Sequence, residues 1–146
     1  MEKSRKNLKI AAIVILGFAA FTLVSLAFEL IWGDINSAVI PADAPENILQ
    51  ITKIILASFT ALLLIPSFYV GIKGLCVAKK PNKSKSHIVW AIVVLVFTVF
   101  GLISPVVEIF NHVEVKENIS MLLSVSVDIL VYCEFIKYAS DVRKAA

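Results

Sequence analysis

Residues 10–32 read IAAIVILGFAAFTLVSLAFELIW, a run of 23 residues in which Glu29 is the single charged side chain. A transmembrane helix needs roughly 20 mainly apolar residues to cross about 30 Å of hydrocarbon. This stretch therefore predicts a first membrane span. Three further stretches, 48–77, 88–110 and 119–138, share its apolar character, and each has the length of another span.

The composition of the whole chain also indicates a membrane protein. Of its 146 residues, 59% are hydrophobic and 17% are charged, whereas a soluble domain has roughly 45 to 50% apolar and about 25% charged residues. Five glycines, five prolines and two cysteines exclude a collagen-like chain and a disulfide scaffold. The sequence predicts one all-α domain, residues 1–146, folded in the lipid bilayer as an antiparallel bundle of four transmembrane helices.

Basic residues are segregated along the chain, which predicts the direction of the spans. Ten of the 14 Lys and Arg residues lie before the first span, between the second and third, or after the fourth. They are Lys3, Arg5, Lys6, Lys9, Lys79, Lys80, Lys83, Lys85, Arg143 and Lys144. Because cytoplasmic loops retain positive charge, we expect both termini to be cytoplasmic. We expect the membrane to be the cell membrane. The formal charge of +3 follows from this topology and indicates no nucleic-acid partner.

An acid in the fourth predicted span is the first candidate for chemistry. Asp128 lies close to the middle of that span, where exposing Asp to hydrocarbon costs about 2.5 to 3.5 kcal/mol. Ser120, Ser124 and Tyr132 fall on the same helix face at four-residue spacing. We expect this stripe to face protein or an internal water pocket. Two roles stay open for Asp128: a neutral, hydrogen-bonded acid that holds helices together, or a proton or cation-coupling group.

Three charged residues enter the outer half of the predicted membrane region. Glu29, Lys53 and Glu108 lie at similar depth in the first, second and third spans. One interpretation is an outer-leaflet cluster with one cation between two acids. The other is three separate side chains that each reach the membrane surface. The spacing does not fix the helix rotations that would decide between them.

The second span has two features that affect packing. Pro66 lies inside it, where proline removes one backbone donor and crowds a carbonyl, so we expect a helix kink. Small residues also recur at four-residue spacing, which lets helices approach closely. The pairs are Ala57 and Ala61, Ser67 and Gly71, Gly74 and Ala78, and, in the fourth span, Ser120 and Ser124. We expect the second helix to be the most closely packed.

Several classes of site have no supporting pattern. Cys76 and Cys133 form no CxxC pair, which argues against a thiol oxidoreductase. His87 and His112 lie at opposite membrane ends, so they cannot both ligate one haem. The sequence contains no HExxH, GxSxG or phosphate-binding glycine loop. We therefore expect no metal, no cofactor and no enzymatic activity.

The parts outside the predicted spans are too short for a catalytic or receptor domain. The leading hypothesis is a non-enzymatic integral membrane protein that acts by helix–helix association, as a homo-oligomer or as the accessory subunit of a membrane complex. The alternative is a small oligomeric transporter or channel in which Asp128 binds a proton or cation. An intramembrane enzyme is a third class, for which no nucleophile or metal set is assembled.

Overall fold

The computed structural model describes residues 2–32, 46–111 and 115–146. These residues form five α-helices: α1 Glu2–Trp32, α2 Glu46–Lys79, α3 Ser86–Phe100, α4 Ile103–Phe110 and α5 Val115–Lys144. No strand occurs in these three ranges. The prediction of an all-α protein is confirmed.

Three stretches of helix are long and apolar enough to cross a membrane. They are Glu2–Phe28, Ser86–Val107 and Asn118–Lys144, which correspond to the first, third and fourth predicted spans. The second predicted span lies in α2, a helix of 34 residues that is not among these three. Three candidate spans are thus established, and the second of the four predicted spans remains a prediction.

The helices extend past the apolar stretches at the ends that carry Lys and Arg. α1 begins at Glu2 rather than near residue 10, and α5 continues to Lys144 rather than ending near residue 138. Lys, Arg and Glu are good helix formers, so the change from apolar to charged residues does not end the helix. Leu8 in α1 and Val142 in α5 are buried, and their packing stabilises these added turns.

The third predicted span is two helices rather than one. α3 ends at Phe100, and α4 begins at Ile103. Pro105 explains the break, because it has no N–H to donate to the Gly101 carbonyl four residues earlier and its ring crowds that oxygen. The backbone N–H of Leu102 instead donates to the Val99 carbonyl at 3.1 Å, the tighter pattern of a 3₁₀ turn.

The chain divides into two compact units. Unit 1 comprises Met1–Leu16 and Pro66–Ala146, and unit 2 comprises Gly17–Ile65. Both α1 and α2 continue from one unit into the other. The boundary in α2 falls at Pro66, where we predict a kink, while the helix is continuous across this residue. The kink itself stays a prediction.

Unit 1 has a core to which α1, α2, α3 and α5 all contribute. Its buried members are Leu8, Ala11, Ala12, Ile15, Val70, Val77, Ala78, Ala91, Tyr132, Phe135, Ala139 and Val142. Five of these twelve are alanines, so the helix backbones approach closely. Phe135 is fully buried and is the bulkiest fully buried side chain of the described residues.

Two glycines of α2 allow this close packing. A Cβ atom at Gly71 would lie 2.5 Å from Leu16 Cγ, and one at Gly74 would overlap the Phe135 ring and lie 3.1 Å from Ala12 Cβ. A larger residue at either position would therefore push α2 away from its neighbours. The small-residue pairs of the second span do mark places of close approach in unit 1.

The amino-terminal turns of α1 are tied to the end of α2. Arg5 Nε donates to the Ala78 carbonyl at 2.9 Å, and Arg5 Nη2 donates to the Lys79 carbonyl at 2.8 Å. The last four carbonyls of a helix have no partner within the helix, and a cation there also interacts favourably with the helix dipole. Arg5 thus brings two of the basic segments to one end of unit 1, which we call the basic end.

We predict that Gly74→Ala lowers the free energy of unfolding in detergent by about 1 to 3 kcal/mol, because the added methyl group overpacks the core against Phe135. Gly17→Ala is the matched control in α1, since nothing lies within 4 Å of its added Cβ. Ala is the better helix former, so the control should be neutral or slightly stabilising. Equal destabilisation by both substitutions would contradict the packing of unit 1.

Candidate functional site

The predicted polar stripe of α5 is divided between buried and exposed positions. Tyr132 is buried, with 7% of its surface exposed, and Asp128 is half-buried. Ser120 and Ser124, nearer the start of the helix, are exposed in the isolated chain. The chain therefore covers one end of the stripe and leaves the other end uncovered.

Tyr132 connects the stripe to α2. Its side chain forms a hydrogen bond with the side chain of Ser67, and Asp128 is close enough to interact with it electrostatically. Ser67 is itself buried and directly follows Pro66. Since a hydroxyl buried among apolar groups is costly without a partner, this pairing stabilises the contact of α5 with α2 within unit 1.

The site has a limited set of partners for Asp128. Thr98 of α3 donates its hydroxyl to the Val94 carbonyl of its own helix at 2.9 Å. The side chain of Thr60 in α2 lies outside the described residues. Within the described ranges the acid has no ion pair, which leaves Tyr132 as its identified polar neighbour.

The predicted outer-leaflet cluster is not tested by the structure. The backbones of Glu29, Lys53 and Glu108 belong to α1, α2 and α4. Their side chains lie outside the described residues. The cluster and its alternative of three separate side chains both remain predictions.

A buried histidine of α3 is not among the site residues predicted from the sequence. His87 is fully buried, and neither of its ring nitrogens has a hydrogen-bond partner in the described part of the chain. Its ring meets that of Phe135 edge-on, with centroids 6.2 Å apart and an angle of 86°. In the sequence, the feature that indicates its burial is its spacing of four residues from Ala91, the other buried residue of α3.

A chain of hydroxyl groups orders the start of α3 beside the histidine. The Tyr69 hydroxyl donates to Ser86 Oγ at 2.9 Å, and Ser84 Oγ lies 3.1 Å from the same oxygen. Trp90 packs edge-on to the Tyr69 ring at 6.5 Å between centroids. These contacts join α2 to α3 at the basic end of unit 1.

The described residues also form two grooves, each within one unit. The α1–α5 groove lies in unit 1 and has a volume of about 280 Å³. It runs between residues 7–14 of α1 and residues 130–138 of α5. The α1–α2 groove lies in unit 2 and has a volume of about 300 Å³. It runs between residues 23–30 of α1 and residues 54–61 of α2. Asp128 lines neither groove.

The His, Cys, Asp and Glu side chains of the described residues are dispersed. In residues 2–32, 46–111 and 115–146, no three His, Cys, Asp or Glu side chains are grouped as a metal site would require. Cys76 and Cys133 are both free and exposed. The arrangement that stands out chemically is therefore the Asp128, Tyr132 and Ser67 group.

Comparisons with known proteins add no assignment. No protein-family model, no curated protein and no solved structure matches the chain.

We predict that Tyr132→Phe and Ser67→Ala each lower the free energy of unfolding in detergent by about 1 kcal/mol, because each leaves the other hydroxyl without its partner. The double variant should lose less than the sum of the two, by about 0.5 kcal/mol or more. Ser126→Ala is the control, since this exposed hydroxyl donates only to the Leu122 carbonyl of its own helix. Strict additivity of Tyr132→Phe with Ser67→Ala would contradict the pairing.

Proposed function

We propose that the chain is a non-enzymatic, small integral membrane protein that acts through helix–helix association, as a homo-oligomer or as the accessory subunit of a membrane complex. In this proposal it crosses the cell membrane four times as an antiparallel bundle, with both termini cytoplasmic. The observation that carries the proposal is the apolar surface that the helices leave uncovered.

The extent of this surface supports insertion into a bilayer. In an 18-residue apolar stretch of each candidate span, only 22%, 12% and 11% of the residues are buried. Large side chains such as Phe21, Phe110 and Leu123 have 72%, 79% and 65% of their surfaces exposed. A soluble monomer rarely exposes continuous apolar patches larger than a few hundred Å². Hydrocarbon is the environment in which such a surface is stable.

The exposed end of the α5 stripe supports association. Ser120 and Ser124 are exposed, and Asp128 next to them is only half-buried. An acid at mid-depth costs about 2.5 to 3.5 kcal/mol when it faces hydrocarbon, and a neighbouring helix would both cover it and accept the small Ser residues at close range.

The basic end of unit 1 supports the proposed topology. Arg5 bonds to the last carbonyls of α2, and Leu8, Ala78 and Val142 share one buried core. The basic segments at the start of α1, the end of α2 and the end of α5 therefore lie at one end of this unit. Positive charge is retained on the cytoplasmic side, so we assign this end to the cytoplasm.

Labelling with a membrane-impermeant maleimide in intact cells tests the four-span topology. In a background with Cys76 and Cys133 replaced by Ser, a cysteine at Ala42 should be labelled from outside, and a cysteine at Ser84 should react only after the membrane is permeabilised. The reason is that residue 84 belongs to the basic loop between α2 and α3. Labelling of Ser84→Cys in intact cells, or protection of Ala42→Cys, would contradict the topology.

Mass measurement in mild detergent tests the proposed association. The parent chain should run as an assembly of two or more chains or with a copurifying subunit, and Ser124→Leu should release a monomer, because a large residue prevents close helix approach. Ser126→Leu is the matched control: it is also exposed, but two residues along a helix places it on a different face. A parent chain that is a lone monomer would overturn the proposal.

A further inference from the structure

The α1–α5 groove has an apolar part and a polar end. Ile10 and Val14 of α1 and Leu130 of α5 line the apolar part, while Asn7 and Tyr138 line the opposite end. Asn7 is two residues from Arg5, which bonds to the end of α2. The polar end of the groove therefore lies toward the basic end of unit 1, and the apolar part lies toward the middle of the first span.

Two opposite charges lie beside the groove. Glu134 lines the groove, and its Oε1 lies 3.8 Å from Lys137 Nζ. The same ammonium lies 5.4 Å from the centroid of the Tyr138 ring. The Glu134 and Lys137 side chains are 51% and 62% exposed, so both retain free positions for a ligand that carries charges of its own.

The dimensions of the groove favour a lipid chain over a helix. Eight residues of α1 and nine of α5 span about 12 to 14 Å along the two walls, and a helix with its side chains is about as wide. A volume of about 280 Å³ is too small to admit a second helix over that length. A hydrocarbon chain is much thinner and matches the apolar lining.

We propose that the α1–α5 groove binds one phosphatidylethanolamine, a phospholipid whose headgroup carries a phosphate and a primary ammonium with no net charge, from the leaflet at the basic end. An acyl chain lies along Ile10, Val14 and Leu130. The phosphate accepts from the Lys137 ammonium and the Asn7 amide, and the ethanolamine ammonium donates to the Glu134 carboxylate. The proposal rests on the proposed function only in requiring that the chain is embedded in a bilayer.

The headgroup assignment follows from hydrogen-bonding capacity. A choline headgroup has no N–H to donate to Glu134. A glycerol headgroup pairs its phosphate with Lys137 but brings no cation, so it leaves the Glu134 carboxylate without a partner. A primary-ammonium headgroup pairs its phosphate with Lys137 and its ammonium with Glu134.

Native mass spectrometry of the full chain in mild detergent tests the site, with added phosphatidylethanolamine, phosphatidylglycerol and phosphatidylcholine of identical acyl chains. We expect one phosphatidylethanolamine retained per chain, with about threefold preference over the other two lipids, as suits exposed charges. Glu134→Gln should remove the preference, while Glu2→Gln, an exposed acid outside the groove, should keep it. Val14→Trp should reduce retention of all three lipids about tenfold.

The matched control for the groove is Ile13→Trp, because Ile13 is an exposed neighbour that does not line it. Equal retention by Val14→Trp and Ile13→Trp would overturn the site, and equal retention of the three lipids by the parent would overturn the headgroup assignment. The same spectra report the number of chains. A monomer that holds phosphatidylethanolamine would support this site and contradict the proposed association. An assembly of chains without lipid preference would support the association and contradict the headgroup assignment.

Discussion

The rest of the structure depends on one constraint: the helices expose apolar side chains, which require apolar surroundings. A helix satisfies its own backbone hydrogen bonds, so in hydrocarbon only its side chains must match the surroundings. Phe97 on α3 and Leu123 on α5 show what this allows, because both are largely exposed at positions where a soluble protein would place polar residues. In the proposed bilayer setting, lipid removes the need for a core larger than that of unit 1.

The core of unit 1 lies where the basic segments of the helices adjoin their apolar stretches. Gly71 and Gly74 let α2 approach the side chains of Leu16 and Phe135. At the same end Arg5 satisfies the last carbonyls of α2. Packing and capping therefore stabilise the basic end together. The uncovered Ser124 on α5 lies on the stripe that carries Tyr132, so one face of α5 contributes to the core and to the proposed contact with a partner.

Apolar length and small-residue spacing were enough to predict three candidate spans and the close packing of α2 in unit 1. The break after Phe100 was predictable in principle, since Pro105 prohibits a regular bond to Gly101, but the apolar character of residues 88–110 as a whole predicted one continuous span. The predicted stripe on α5 did include Tyr132. Its partner Ser67 depends on the relative rotation of two helices, which a single sequence does not specify. His87 was overlooked because a polar residue at the edge of an apolar stretch is typical of an interface.

Collision measurements on nitroxide labels in bilayers test most directly the claim that these uncovered faces lie in lipid. Labels at Phe21, Phe97 and Leu123, all largely exposed, should collide often with oxygen, which concentrates in hydrocarbon, and seldom with a water-soluble nickel chelate. A label at Lys83, in the exposed basic loop, should show the opposite pattern. Nickel collisions as frequent at the three apolar positions as at Lys83 would contradict the account.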